Sequence, residues 1–402
     1  MLTSLPPLAL YVHMPWCVRK CPYCDFNSHA APESIPQQQY IDALLDDLAT
    51  DAAAAQGRTL TSVFFGGGTP SLFAPEQVGR FLDAARACVP FAPDAEITLE
   101  ANPGTIEHGR FAGYRDAGIN RVSLGAQTFD AAHLQTLGRI HSSGDIARAV
   151  EEVARAGLDN FNLDLMYGLP AQAREQALAD LDAALALGPA HISHYQLTLE
   201  PGTVFYHRPP PLPDSDAIWQ MQLECQERLA AHGYEHYEVS AYARAGRRSR
   251  HNLNYWQFGD YIGVGAGAHG KLTWLANTER RAAIVRSARI KQPREFLRRA
   301  AAERISDRFT VESAELPFEY MLNVLRLMDD FAEADYEART GLGFATVAGA
   351  VAEAQRRGLL QQAGAGRWQV TELGQRFLND LQALFLPAGQ PEPKASSATA
   401  AG

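Results

Sequence analysis

Apolar and polar positions along the chain change period repeatedly, and the changes divide it into two kinds of segment. Short apolar runs fall at 8–14, 62–65, 96–100, 121–127, 160–166 and 191–197, and runs of this length predict buried strands. Between them apolar residues recur every three or four positions, which predicts helices over 37–56, 75–88, 107–117, 129–137, 143–156 and 172–187. Ile41, Leu44, Leu45 and Leu48 give the pattern in the first of these. Repeated βα units require a parallel sheet with right-handed crossovers, an α/β fold. Six units suit a partial (β/α)6 barrel, whose ligands gather at the carboxyl ends of the strands.

After the sixth run the chain changes character. Pro209-Pro210-Pro211-Leu212-Pro213 predicts a stiff, extended connector. A helix over 215–232 and a strand-like run over 234–241 follow. The glycine-rich apolar run 261–270 reads as a strand and tight loop closing the open side of the barrel. From about 305 the pattern is mostly helical, over 319–328, 331–340 and 345–357. Two short strand-like runs around a Gly364-Ala365-Gly366 turn and a last helix complete a winged-helix-like pattern. The expected division is a barrel core over 1–208, a barrel-closing extension over 209–300, a smaller C-terminal helical, winged-helix-like domain over 301–386, and a disordered tail over 387–402, rich in Pro, Ala, Ser and Gly.

Composition narrows the class. With 402 residues, 46% of them hydrophobic, the chain can bury a large core. The five cysteines do not read as a disulfide framework: three share one loop, and Cys88 and Cys225 fall in helical patterns. Reduced thiols and no signal-peptide pattern lead us to expect the cytoplasm. No apolar run has the roughly 18 residues of a membrane span. A net charge of -10 argues against nucleic acid as a partner. Residues 279–299 run against that charge, with Arg280, Arg281, Arg286, Arg289, Lys291, Arg294, Arg298 and Arg299. A solvated helix face is the expected explanation, and an acidic partner or peripheral membrane contact is the second reading.

Chemistry concentrates just after the first run. Cys17, Cys21 and Cys24 stand at C-x3-C-x2-C spacing. Three thiolates cannot complete a tetrahedral zinc site without a distant fourth ligand. They can hold three irons of a [4Fe-4S] cube and leave the fourth open; a zinc knuckle or three ordinary thiols are the alternatives. The second run leads into Gly66-Gly67-Gly68-Thr69-Pro70, which suits either a ligand approaching the backbone or a plain tight turn. Glu100, Gln127 and Asp164 sit at or near the ends of the third, fourth and fifth runs, where a polar group is costly without a partner. One shared polar ligand explains all three. Arg139 has the planar fork that suits a carboxylate, although such a residue also occurs as a helix-end charge.

The spacing, the aromatic Tyr23 before the third cysteine and the wider run Tyr11-Val12-His13-Met14-Pro15-Trp16-Cys17 resemble the radical S-adenosylmethionine superfamily. The match lies in the branch that contains oxygen-independent coproporphyrinogen III dehydrogenase and the HemW heme chaperones. The resemblance implies the partial barrel, a [4Fe-4S] cluster on Cys17, Cys21 and Cys24, an electron donor for it, and S-adenosylmethionine held by Tyr11, Tyr23, Gly67, Gly68, Thr69, Glu100, Gln127, Arg139 and Asp164. His251-Asn252-Leu253-Asn254-Tyr255-Trp256 resembles the chaperone signature, which implies heme as a further ligand with His251 in contact with it, and heme-accepting apoproteins as partners. An imidazole that ligates iron, flat aromatic side chains and Arg247, Arg248 and Arg250 for propionates are compatible with that; a loop histidine hydrogen-bonded near the barrel mouth is the plainer reading. Two functions of different class follow: a heme carrier, and a radical enzyme that oxidises and decarboxylates porphyrinogen propionates; another radical enzyme, of unidentified substrate, is the third reading. The dehydrogenase pattern expects a cysteine where this chain has Phe26 and a long segment before the first strand, which here starts at Leu8. Both departures favour the carrier.

Overall fold

The computed structural model describes residues 2–105, 109–278 and 281–387. Six parallel strands carry the expected units: β1 Leu8–Met14, β2 Leu60–Gly67, β3 Phe91–Ala101, β4 Arg121–Gln127, β5 Phe161–Tyr167 and β6 His191–Gln196. Helices Gln37–Asp51, Pro75–Cys88, Arg110–Ala117, Ala131–Thr136, Ser143–Arg155 and Arg174–Ala186 lie between or after them. The expected start of the third helix and most of the tail, 106–108 and 388–402, fall outside the described residues.

Six further strands extend the sheet: β7 Glu235–Glu238, β8 Ala241–Ala243, β9 Asp260–Val264, β10 His269–Trp274, β11 Ala283–Arg289 and β12 Ile305–Thr310. The order is β12-β11-β10-β9-β1-β2-β3-β4-β5-β6-β8-β7. β9 pairs parallel to β1 and covers its free edge; the outer strands on both sides run antiparallel. The glycine-rich run is thus two strands, joined at a turn where Gly265 and Gly267 take positive φ.

Alternation along the strands separates two environments. Leu8, Leu10, Val12 and Met14 of β1, Val63 and Phe65 of β2, and Leu163 and Leu165 of β5 enter one large apolar core under the helices. The opposite, inner face carries Tyr11, His13, Ser62, Glu96, Thr98, Glu100, Arg121, Ser123, Asn162, Asp164 and His191. A polar inner face on a buried sheet calls for ligands or a closed hydrogen-bond network.

Three expectations are corrected. The basic segment is not a helix face: β11 runs through it, and a short helix, Pro293–Arg298, follows. Arg289 is 2% exposed and pairs with Asp47 at 3.4 Å and Asp51 at 2.5 Å, while Arg286 pairs with Glu319. Burial at Ile284 and Arg289, with a register irregularity between Ala288 and Arg289, breaks the strand period within a basic run. Second, residues 305–310 form β12 on the edge of the large sheet, where exposed side chains remove the apolar alternation that marks a strand. Third, the HNxxYW sextet is helical, Arg250–Trp256, capped by Ser249. A second apolar core gathers Tyr320, Met321, Tyr336, Val351, Leu360 and Val370 from the C-terminal helices and the paired wing strands Leu360–Gly364 and Arg367–Val370.

Candidate cofactor site

β1 ends at Met14, and the cysteine loop is tied down on both sides. His29 N donates to Pro15 O at 2.7 Å and Ala31 N to Cys17 O at 2.8 Å. From the end of β2, Gly68 N donates to Met14 O at 2.7 Å and Thr69 N to Trp16 O at 2.8 Å. Glycine is required here for packing. Gly67 has φ +109°, and a Cβ would stand 2.5 Å from the His13 ring; one on Gly68 would stand 2.6 Å from Trp16 O. The glycine-rich turn is therefore pressed against the cysteine loop.

Cys17, Cys21 and Cys24 are half-buried and free of disulfides. Burial pushes the Cys24 thiol up to about 11 and raises Cys17 as well. Iron binding therefore has to displace protons here, as thiolate ligation does generally. Arg139 Nη1 donates to Cys21 Sγ at 3.7 Å, and Cys24 Sγ lies 3.9 Å from Ser28 Oγ. Among the described residues no three His, Cys, Asp or Glu side chains form the ligand set of a single ion. A four-iron cube needs a different arrangement, because each thiolate binds its own corner. Three free thiols on one braced loop, with a cationic neighbour, fit that group.

The strand ends converge beside this loop. Glu100 Oε2 accepts from Gly67 N at 3.1 Å. Burial, reinforced by the Asp164 charge, raises Glu100 to about 8. Burial also raises Asp164, against hydrogen bonds from Asn162 at 2.8 Å and Ser123 at 3.2 Å. Two buried carboxyl groups held this way favour a cationic ligand, whose charge stabilises their ionised forms. Gln127 takes a left-handed conformation, φ +69°, and its Oε1 accepts from Tyr195 Oη at 2.7 Å. Arg139 Nη2 donates to Gly125 O at 2.6 Å, whereas its buried Nε has no partner. Tyr23 lies on the same side, 6.5 Å from Phe205 between ring centroids. An acidic pair, a guanidinium and close-packed glycines fit an amino acid-like ligand with a positive centre, as S-adenosylmethionine is.

Sequence reasoning missed His13 and Tyr195. His13 Nε2 donates to Asn27 O at 2.9 Å, so Nδ1 accepts from Tyr11 Oη, also at 2.9 Å. Tyr11 is thereby locked to the cysteine loop. The i, i+2 spacing of Tyr11 and His13 on one strand face is the signal that was available.

His251 lies deeper on the same inner face, where Phe64 stacks on both its ring and that of Tyr11. It is 1% exposed, with its ring stacked on Phe64 at 4.9 Å and its Nδ1 3.0 Å from Ser62 Oγ. Ser62 and Glu96 are register partners that precede the strand-end Gly66 and Glu100, so this helix meets the inner face below the strand ends, with the His251 ring 6.5 Å from that of Tyr11. Glu96 accepts from the backbone of Arg250 and His251. Burial pushes His251 down to about 3, leaving a neutral imidazole whose Nε2 has no partner. The barrel-mouth placement is corrected: the histidine is interior. The three nearby arginines are already paired, Arg247 with Asp159, Arg248 with Asp329 and Glu235, and Arg250 with Asp94.

Residues 11–184 match the Radical SAM superfamily and residues 311–377 the HemN C-terminal domain. The chain is 48% identical to an Escherichia coli protein named heme chaperone HemW, covering 96% of this chain and all of that one. A Haemophilus influenzae protein of the same name is 47% identical over 96% and 99% of the two chains. Among solved structures, coproporphyrinogen III oxidase (HemN) from Escherichia coli superposes with a TM-score of 0.78 at 22% identity, covering 95% of this chain and 90% of that one. That likeness establishes the fold.

Proposed function

Because the chain belongs to the HemW family of radical SAM proteins, we propose that it binds heme and hands it to acceptor proteins while carrying a [4Fe-4S] cluster and S-adenosylmethionine. Cys17, Cys21 and Cys24 hold the cluster. Tyr11, Tyr23, Gly67, Gly68, Thr69, Glu100, Gln127, Arg139 and Asp164 hold S-adenosylmethionine, with Arg139 toward its carboxylate and Glu100 and Asp164 toward its polar and cationic groups. The cluster, when bound, supplies single-electron chemistry at its open iron, fed by an external donor. The protein's own part is to hold that ligand against the cysteine loop and to keep Tyr11 in place through His13.

Heme contact is assigned to His251. The observation that carries this is its neutral imidazole with Nε2 unpartnered, the form that ligates iron. Burial means that the helix Arg250–Trp256 has to shift for a porphyrin to reach it. Arg247, Arg248 and Arg250 are already paired with carboxylates, so the propionate-holding role expected of them is not assigned. Lys291, Arg294 and Arg298 are among the exposed cations of the segment that suit an acidic partner or an anionic membrane surface. Among the described residues no helix is long and apolar enough to cross a membrane, and the reduced thiols support a cytoplasmic site. Porphyrinogen oxidation is the second reading, weakened by Phe26, which stands 41% exposed beside the loop where a further thiol is expected.

Heme titration by absorbance, with transfer to an apoprotein followed in the same cuvette, tests the proposal. We expect heme binding by the wild type and a loss of about tenfold or more in His251→Ala, on the scale of a lost metal-ligand partner. Equal binding by both removes His251 from the site; decarboxylation of coproporphyrinogen III by the wild type restores the enzyme.

A further inference from the structure

The polar inner face contains a continuous hydrogen-bond chain whose direction can be worked out atom by atom. Asn162 spends both amide protons, on Ser123 Oγ at 2.7 Å and Asp164 Oδ1 at 2.8 Å. Its Oδ1 is thus an acceptor, and takes hydrogen bonds from Ser193 Oγ at 3.1 Å and His191 Nδ1 at 2.7 Å. With its proton on Nδ1, neutral His191 accepts at Nε2 from Tyr237 Oη at 2.7 Å. Tyr237 Oη in turn accepts from Ser249 N at 3.2 Å. Ser249 is the N-cap of the helix that carries His251. His191, Tyr237 and Ser249 are all 0% exposed.

Every donor therefore points toward Asp164. Reversal is blocked at both ends. Turning the Asn162 amide would set its oxygen against the Asp164 carboxylate, and moving the His191 proton to Nε2 would leave Tyr237 receiving two donors with its own proton unplaced. A buried polar group without a partner costs about 1–3 kcal/mol, so the chain has one favoured polarity and Asp164 sets it. A ligand that takes hydrogen bonds at Asp164 changes what that carboxylate offers Asn162 and Ser123. The change is passed along a path in which no group has a spare partner.

We propose that Asn162, His191 and Tyr237 are positioning residues that join the S-adenosylmethionine end of the barrel to the first turn of the His251 helix, so that occupancy of one end alters the other. This rests on the assignment of Asp164 to S-adenosylmethionine made above. Linkage makes the effect reciprocal.

Amide hydrogen exchange on the cluster-reconstituted full chain, with and without S-adenosylmethionine, provides the test. In the wild type the ligand is expected to change exchange over residues 249–257 by about fivefold or more, the lower end of ordinary coupling. In Tyr237→Phe, which removes only the hydroxyl, that response is expected to fall below about twofold while affinity for the ligand is kept. Unchanged exchange in the wild type overturns the proposal without reference to any variant. So does an undiminished response in Tyr237→Phe. Heme is absent from this experiment, so a failure of the heme titration removes the chaperone reading and leaves the exchange result standing.

Discussion

Arg139 stands 3.7 Å from Cys21, with Nη1 directed at the sulfur, while its buried Nε has no partner. One guanidinium therefore borders both the cysteine loop and the strand-end site, with a donor still to place. Replacing it with Met keeps the volume and removes the donors. We expect S-adenosylmethionine affinity to fall by about tenfold or more, the scale of a charged hydrogen bond, while iron content after reconstitution stays near that of the wild type. Calorimetric titration and an iron assay check the two halves. Loss of iron together with affinity would show that Arg139 serves the loop itself.

Glu100 predicts a pH dependence in cluster-free, ligand-free protein. Its folded value of about 8 lies above the ordinary 4.5. Between those values the unfolded chain releases a proton that the folded chain keeps, so this group's contribution to stability falls as pH rises through the window. Glu100→Gln cannot ionise. Denaturant midpoints at pH 5 and pH 8.5 should show the variant gaining on the wild type at the higher pH. A constant difference would mean that Glu100 ionises normally in the fold.

Gly67 offers a steric test of the two-loop contact. Gly67→Ala meets both a φ of +109° and the His13 ring. We expect a cost of about 1–3 kcal/mol in stability and weaker S-adenosylmethionine binding, because the turn has to move away from the cysteine loop. Urea unfolding and titration read these separately. Wild-type values for both would show that the turn has room to adjust.

The buried pair set tests the corrected basic segment. Arg289→Ala removes one cation from each of Asp47 and Asp51, which keep Arg304 and Arg308 respectively, each at 3.3 Å. Breaking a buried pair from one side costs about 3–5 kcal/mol, and the two retained cations place this variant at the lower end of that range. Arg298→Ala, at an exposed position, should change stability by less than about 0.5 kcal/mol. Similar effects from both in chemical denaturation would return the segment to a solvated face.

Within this chain, local chemistry was legible wherever a few consecutive residues carry it. The βα alternation follows from the 3.6- and 2-residue periods of apolar side chains, and both survive in the strands and helices found. The cysteine spacing, the glycines and Glu100, Gln127 and Asp164 at strand ends are short-range patterns that need no knowledge of what lies opposite. Tertiary structure decided which neighbours those residues have. Arg289 looks like a surface charge until Asp47 and Asp51, some 240 positions earlier, are brought against it by the pairing of β11 within the sheet. His251 reads as a loop residue until Ser62 and Glu96 receive its helix inside the barrel. Neither could be read from sequence, because a charge or an imidazole has no periodicity of its own; its meaning lies in partners supplied by distant strands.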